Sequence, residues 1–158
     1  MKKFLRMSIL LVVVALVAGC TRLPDSYPFV NKNESIERVA FLYHPQPNNL
    51  LTTKDYLVVR ELTAEETDPF MDALQSLKTD KCITPPPRGY GDYVVRISYS
   101  DGSMEIFGNY HIEFVKSGEE EAGIGTYVFS PYSAFEELFL AYSGDQDSLD
   151  EVWQNSEI

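Results

Sequence analysis

Histidine, cysteine and tryptophan are scarce in this chain, whose 158 residues contain two, two and one of them respectively. Two cysteines close at most one bridge, so no disulfide framework supports the fold. The two histidines, His44 and His111, are too few for a zinc site, and no nucleophile stands at a recognisable spacing from either. Positive charge is also in deficit, with 13 Lys and Arg against 24 Asp and Glu, for a formal charge of −11. Such a surface repels phosphate backbones and anionic headgroups, which argues against nucleic-acid binding and against adhesion through a basic patch. A glycine-rich phosphate loop, a cluster of metal ligands and an internal repeat are missing as well, so the sequence implies no cofactor, no metal and no catalytic residue. Long apolar runs are absent too. The longest, residues 9–19, has eleven residues, and a helix crossing a bilayer needs about twenty.

That short run is nevertheless the most informative stretch of the chain. Lys2, Lys3 and Arg6 precede it without an acidic residue, and the small residues Ala18 and Gly19 close it, which is the layout of a cleavable export signal. The string Val17-Ala18-Gly19-Cys20 resembles the lipobox of bacterial lipoproteins. The resemblance implies that residues 1–19 are removed, that Cys20 carries a diacylglycerol, and that the protein sits in the cell envelope. There it would be anchored to the outer face of the cytoplasmic membrane or to the outer membrane. Thr21 is not the aspartate that typically retains lipoproteins at an inner membrane. Two or more acyl chains, at about 0.8 kcal/mol per buried methylene, suffice for a stable anchor. Removal of the signal leaves 139 residues, enough for one domain, and moves the formal charge to −14. In size and layout the remainder resembles small bacterial lipoproteins.

Residues 20–34 follow as the lipidated cysteine and a flexible tether, because prolines and asparagines interrupt residues 21–34 and neither structural period appears. A single domain is expected over residues 35–158. Its first strands are read at 35–43 and 56–62, and Thr63 with Glu66 has the spacing of a capping box ahead of a helix at 64–78, with Pro69 placed awkwardly inside. Asp101-Gly102 reads as a two-residue hairpin turn, setting Ile97 opposite Ile106, and the strand after it is followed as one long element bent at Gly108. A strand at 126–129, a helix capped by Ser133 and Glu136 and a short closing helix capped by Ser148 complete the chain. The fold class expected is α+β, an antiparallel sheet of about five strands with two or three helices packed on one face, two layers in all.

Several groups invite chemistry. Arg96, Glu105, Asn109, His111 and Glu113 fall on what the expected register makes the exposed face of the hairpin, where a histidine between carboxylates is a candidate general base. The acidic run at 145–151 begins like a calcium loop but lacks the glycine and the final glutamate, so helix capping accounts for it better. Cys82 has no local signature of a catalytic thiol, and burial as a small hydrophobe is its simpler role. The run at 83–93 joins three prolines to Arg88, Tyr90 and Tyr93, a stiff connector or a preordered binding edge. Arg88, Tyr90, Tyr93, Arg96 and His111 are the binding candidates. The function read from the sequence is a membrane-anchored envelope lipoprotein with a small non-catalytic binding domain for an envelope protein or a cell-wall component. The alternative is a small hydrolytic or thiol enzyme using His111 or Cys82.

Overall fold

A computed structural model of the chain describes residues 26–29, 35–45, 52–81 and 88–156. The expected signal, Cys20, most of the tether, Cys82 and the proline run lie outside the described residues. The described part is α+β, with one antiparallel sheet of seven strands and three helices. The strands are β1 (Ile36–Tyr43), β2 (Leu57–Glu61), β3 (Thr79–Lys81), β4 (Tyr93–Tyr99), β5 (Met104–Gly108), β6 (Ile112–Val115) and β7 (Tyr127–Phe129), in the order β2-β1-β4-β5-β6-β7-β3. The helices are α1 (Ala64–Ser76), α2 (Tyr132–Ser143) and α3 (Gln146–Ser156).

Alternation sorts the sheet into two apolar faces. Val39, Phe41 and Tyr43 of β1, Val95 and Ile97 of β4 and Phe107 of β5 pack against Phe70 and Leu74 of α1, Phe135 and Phe139 of α2 and Leu149 of α3. Each such ring or branched side chain taken out of water contributes about 1.5–3 kcal/mol, so this face holds most of the core. Ala40, Leu42, Val94, Ile106 and Val115 form the second face, covered among the described residues by Tyr56 and Tyr90 from connecting segments. The sheet is therefore buried on both sides, by helices on one and by loops on the other.

The sheet has two more strands than expected, for two reasons. The short β3 follows α1 and pairs with β7, which its three residues do not announce. The long strand is two strands, because Gly108 N–H donates to His111 O at 3.0 Å and β6 returns antiparallel to β5, with Phe107 facing Ile112. Glycine is needed at 108 for closeness, since a Cβ there would lie 2.4 Å from Tyr90 O.

The hairpin register also differs from expectation by one residue. Tyr99 N–H donates to Ser103 O at 3.0 Å, and Ile97 faces Glu105 rather than Ile106. A type I′ turn requires positive φ at both central residues, but here only Gly102 adopts it, at 83°. Asp101 instead accepts from Ser103 N–H at 2.8 Å and from its hydroxyl at 2.6 Å, which closes a three-residue loop with its glycine in the left-handed region. The consequence is large, since Glu105 turns onto the helix-covered side of the sheet.

The helix ends follow sequence signals in part. Glu66 Oε2 accepts from Thr63 N–H and from Thr63 Oγ1, each at 3.0 Å, and α1 runs on through Pro69. Helix α2 begins after Pro131 with no side-chain cap, so Ser133 does not play that part. In α3 the cap is Asp145, whose carboxylate accepts from Ser148 N–H at 2.9 Å, one turn earlier than Ser148 itself.

Within the expected tether, residues 26–29 rest on the domain. Tyr27 is buried, its N–H donates to Thr79 Oγ1 at 2.8 Å, and its ring meets Phe107 and Tyr127 edge-on. An aromatic pair at Tyr27 and Phe29 supplies enough apolar area to hold a segment that the prolines alone mark as a linker.

Candidate functional site

The five binding candidates do not form one surface. Arg88 is exposed, while Tyr90 and His111 are fully buried and in contact, their ring centroids 4.8 Å apart. Tyr93 lies on the opposite side of the sheet, packed on Phe139 at 4.9 Å and donating its hydroxyl to Gln146 Oε1. Arg96 is half-buried on the loop-covered side, where its Nη1 donates to Thr53 Oγ1 at 3.1 Å. Thr53 in turn donates from Oγ1 to Glu121 at 2.7 Å, so Arg96, Thr53 and Glu121 pin the segment at 119–125 to the turn at 53–55. Burial lowers the Arg96 pKa from its ordinary value, with Glu121 acting against that effect.

Of the expected exposed polar face, Glu105, His111 and Glu113 are buried, and Arg96 and Asn109 are half-buried. Glu113 is 8% exposed and accepts three bonds: from Tyr90 OH, from Ala122 N–H at 2.8 Å and from Gly123 N–H at 3.0 Å. This carboxylate is a structural hub, holding a loop and a buried phenol in place. Burial, followed by the bond to Glu113, raises the Tyr90 hydroxyl far above the ordinary tyrosine range. His111 is sealed beside this pair, and among the described residues neither ring nitrogen has a hydrogen-bond partner. Burial pushes its pKa down to about 4, so it is neutral at physiological pH. Gly125 closes the seal, because a Cβ there would stand 2.0 Å from Ile112 O and 2.9 Å from the His111 ring.

A second buried carboxylate is Glu105, which the sequence pattern placed on the exposed face. Glu105, 1% exposed, accepts from Tyr27 OH at 2.6 Å and from Tyr99 OH. Burial and then the charge of Glu105 raise Tyr27 far above the ordinary range. The signal that could have found it was the pair of tyrosines on either side in space. The register shift hid it, because an even-odd alternation from a two-residue turn places Glu105 in solvent.

At the far end of the sheet, Tyr43, Tyr93, Gln146 and Asp150 share hydrogen bonds that tie α3 down, with Gln146 Nε2 donating to Tyr43 OH at 2.6 Å. His44 stands beside them, its ring 4.4 Å from Trp153 and its Nδ1 3.0 Å from Pro45 O. Open clefts lie among the described residues. One of about 540 Å³ lies between residues 26–29 and the end of α1, and one of about 320 Å³ is bordered by Thr52, Lys54, Met104 and the glutamates at 119–121. Among the described residues no group of three or more His, Cys, Asp or Glu is placed to hold a metal ion, and no helix is long and apolar enough to cross a membrane.

Chemically, the arrangement holds loops against the sheet. The buried carboxylates have their donors, and the histidine between them in sequence has no path to solvent. No family model matches the chain, and no curated protein and no solved structure matches it either.

Proposed function

We propose that this chain is a lipid-anchored envelope protein whose folded domain is a non-catalytic binding module. The observation that carries the location is Val17-Ala18-Gly19-Cys20 behind a charged start and a short apolar run. The resident groups that acid–base chemistry would need support the binding half. His111 is enclosed, Glu113 is held by three donors and Glu105 by two phenols. A general base must reach the proton it removes, and these do not reach solvent. The envelope membrane is the first partner, through the lipid on Cys20. The second is an envelope protein or a cell-wall component, met by the exposed aromatic side chains Tyr110 and Tyr132, which are 45% and 50% exposed. Its high negative charge favours a partner with basic groups at the contact.

The test uses the full chain expressed in a bacterium with photo-cross-linking residues at positions 110 and 132. A specific cross-linked species from the envelope fraction that disappears with Cys20→Ser supports the proposal. A cytosolic, unmodified protein with no cross-link at either position contradicts it.

A further inference from the structure

Residues 119–125 cross the loop-covered side of the sheet and bury almost nothing of their own. Glu119, Glu120, Ala122 and Ile124 are exposed, Glu121 is half-buried, and the rest are Gly123 and Gly125. Hydrogen bonds hold the segment instead of apolar packing. Glu113 accepts from Ala122 N–H at 2.8 Å and from Gly123 N–H at 3.0 Å, Gly89 N–H donates to Gly123 O at 3.0 Å, and Thr53 Oγ1 donates to Glu121 at 2.7 Å. A segment with few buried apolar contacts opens at a lower free energy than the core beneath it. Beneath this one lies His111, fully buried against the Tyr90 ring and the Gly125 backbone.

We infer that residues 119–125 are an acid-released lid, which opens locally over His111 and Glu113 while the sheet and helices stay folded. The trigger is the imidazole. Among the described residues neither of its ring nitrogens has a hydrogen-bond partner, so a proton bound there under the closed lid meets no acceptor. The titratable groups on the surrounding elements are otherwise engaged or exposed. Tyr90 is bonded to Glu113, Glu113 to the lid, and Arg96 and Glu121 both to Thr53. Arg88 and Asp92 belong to the segment that carries Tyr90, Tyr110 is exposed next to His111 in the chain, and Glu119 and Glu120 are exposed at the start of the lid. Burial holds the His111 pKa down at about 4, whereas an imidazole released to water titrates near 6.5. The open state therefore binds the extra proton between those values, and acid favours opening by about twentyfold from pH 7 to pH 5. The imidazole that reaches solvent in this way is cationic. Opening thus creates no general base and agrees with a non-catalytic domain, and it does not depend on the proposed anchor.

Amide hydrogen exchange on the full chain tests this, with Gly89, Ala122 and Gly123 reporting the lid and Ile97 in the centre of β4 reporting the core. After correction for intrinsic rates, protection at the three lid amides should fall about twentyfold between pH 7 and pH 5, with the fall setting in near pH 6.5. At either pH these amides should be less protected than Ile97, and about 1 M urea should change them little while it lowers protection at Ile97 steeply. Equal protection and equal urea dependence at the lid and at Ile97 would make the loop part of the cooperative core and overturn the inference. A fall confined to below pH 5 would overturn it as well, since carboxylates and not His111 would then be the trigger. In His111→Leu the twentyfold response should vanish at the lid amides, and its persistence in a folded variant would refute the role of the imidazole. Should that variant lack the circular dichroism of a folded chain, the wild-type pH profile and urea dependence decide by themselves.

Discussion

Acid should weaken this domain as pH falls below 7, and His111 is one reason. Its folded pKa is pushed down to about 4 by burial, while an unfolded histidine titrates near 6.5. The unfolded chain therefore binds the extra proton between those values, and stability falls as pH falls through that window. Linkage gives a loss of about 2 kcal/mol between pH 7 and pH 5 and about 3 kcal/mol once pH is below 4. The perturbation is His111→Leu, which removes both unpartnered nitrogens and keeps an apolar side chain against Tyr90 and Gly125. Urea unfolding at pH 7 and pH 5 is the assay. For a domain of this size a loss of 2 kcal/mol moves the midpoint by about 1 M. The wild type should show that shift, and the variant should lose most of it while remaining at least as stable at pH 7. An equal shift in both proteins would refute the assignment. So would a loss of more than about 2 kcal/mol in the variant at pH 7, because the nitrogens would then be making bonds.

Other substitutions probe the register and the buried carboxylates. Gly102→Val should lower stability by more than about 1 kcal/mol and the melting temperature by several degrees, since φ is 83° and a Cβ would stand 2.8 Å from Ser117 Oγ. Tyr90→Phe should cost about 1–3 kcal/mol in chemical denaturation, because it takes one donor from a buried carboxylate without opening a cavity. Tyr90→Ala with Tyr93→Ala should leave a largely unfolded chain by circular dichroism, each truncation costing about 3–5 kcal/mol in a separate core cluster. A folded double variant would mean that these rings lie at the surface. Tyr110→Ala and Tyr132→Ala, by contrast, should shift stability by no more than about 0.5 kcal/mol while weakening partner capture.

The helix-covered core was legible because its periodicity was regular. Phe70 and Leu74 in α1 and Phe135 and Phe139 in α2 follow helical spacing, and all four are fully buried. The hairpin was legible in existence but not in register, since Asp-Gly serves both a two-residue and a three-residue loop and the choice lies in the φ of Asp101. That single residue decided the fate of Glu105. The turn at 109–110 was hidden for a different reason. An apolar alternation from Met104 to Phe114 continues across it, and it is the pairing of β5 with β6, Phe107 facing Ile112, that shows the chain doubling back. Burial of His111 and Glu113 was equally invisible, because the loop over them is polar in sequence, bonds Glu113 through backbone N–H groups and closes on His111 through Gly125, which no side-chain pattern encodes. Tyr27 was lost among prolines, since the contacts that hold it come from β3 and β5, more than fifty residues away.

The proposed membrane anchor depends most on Cys20. Intact-mass analysis of the protein purified from bacterial membranes, with fragmentation of its first residues, reads the anchor directly. The mature chain should begin at Cys20, lack residues 1–19 and carry the added mass of a diacylglycerol, with a further acyl group where the host supplies one. An unmodified cysteine, or a chain beginning at any other residue, would contradict the proposal of a lipid-anchored domain.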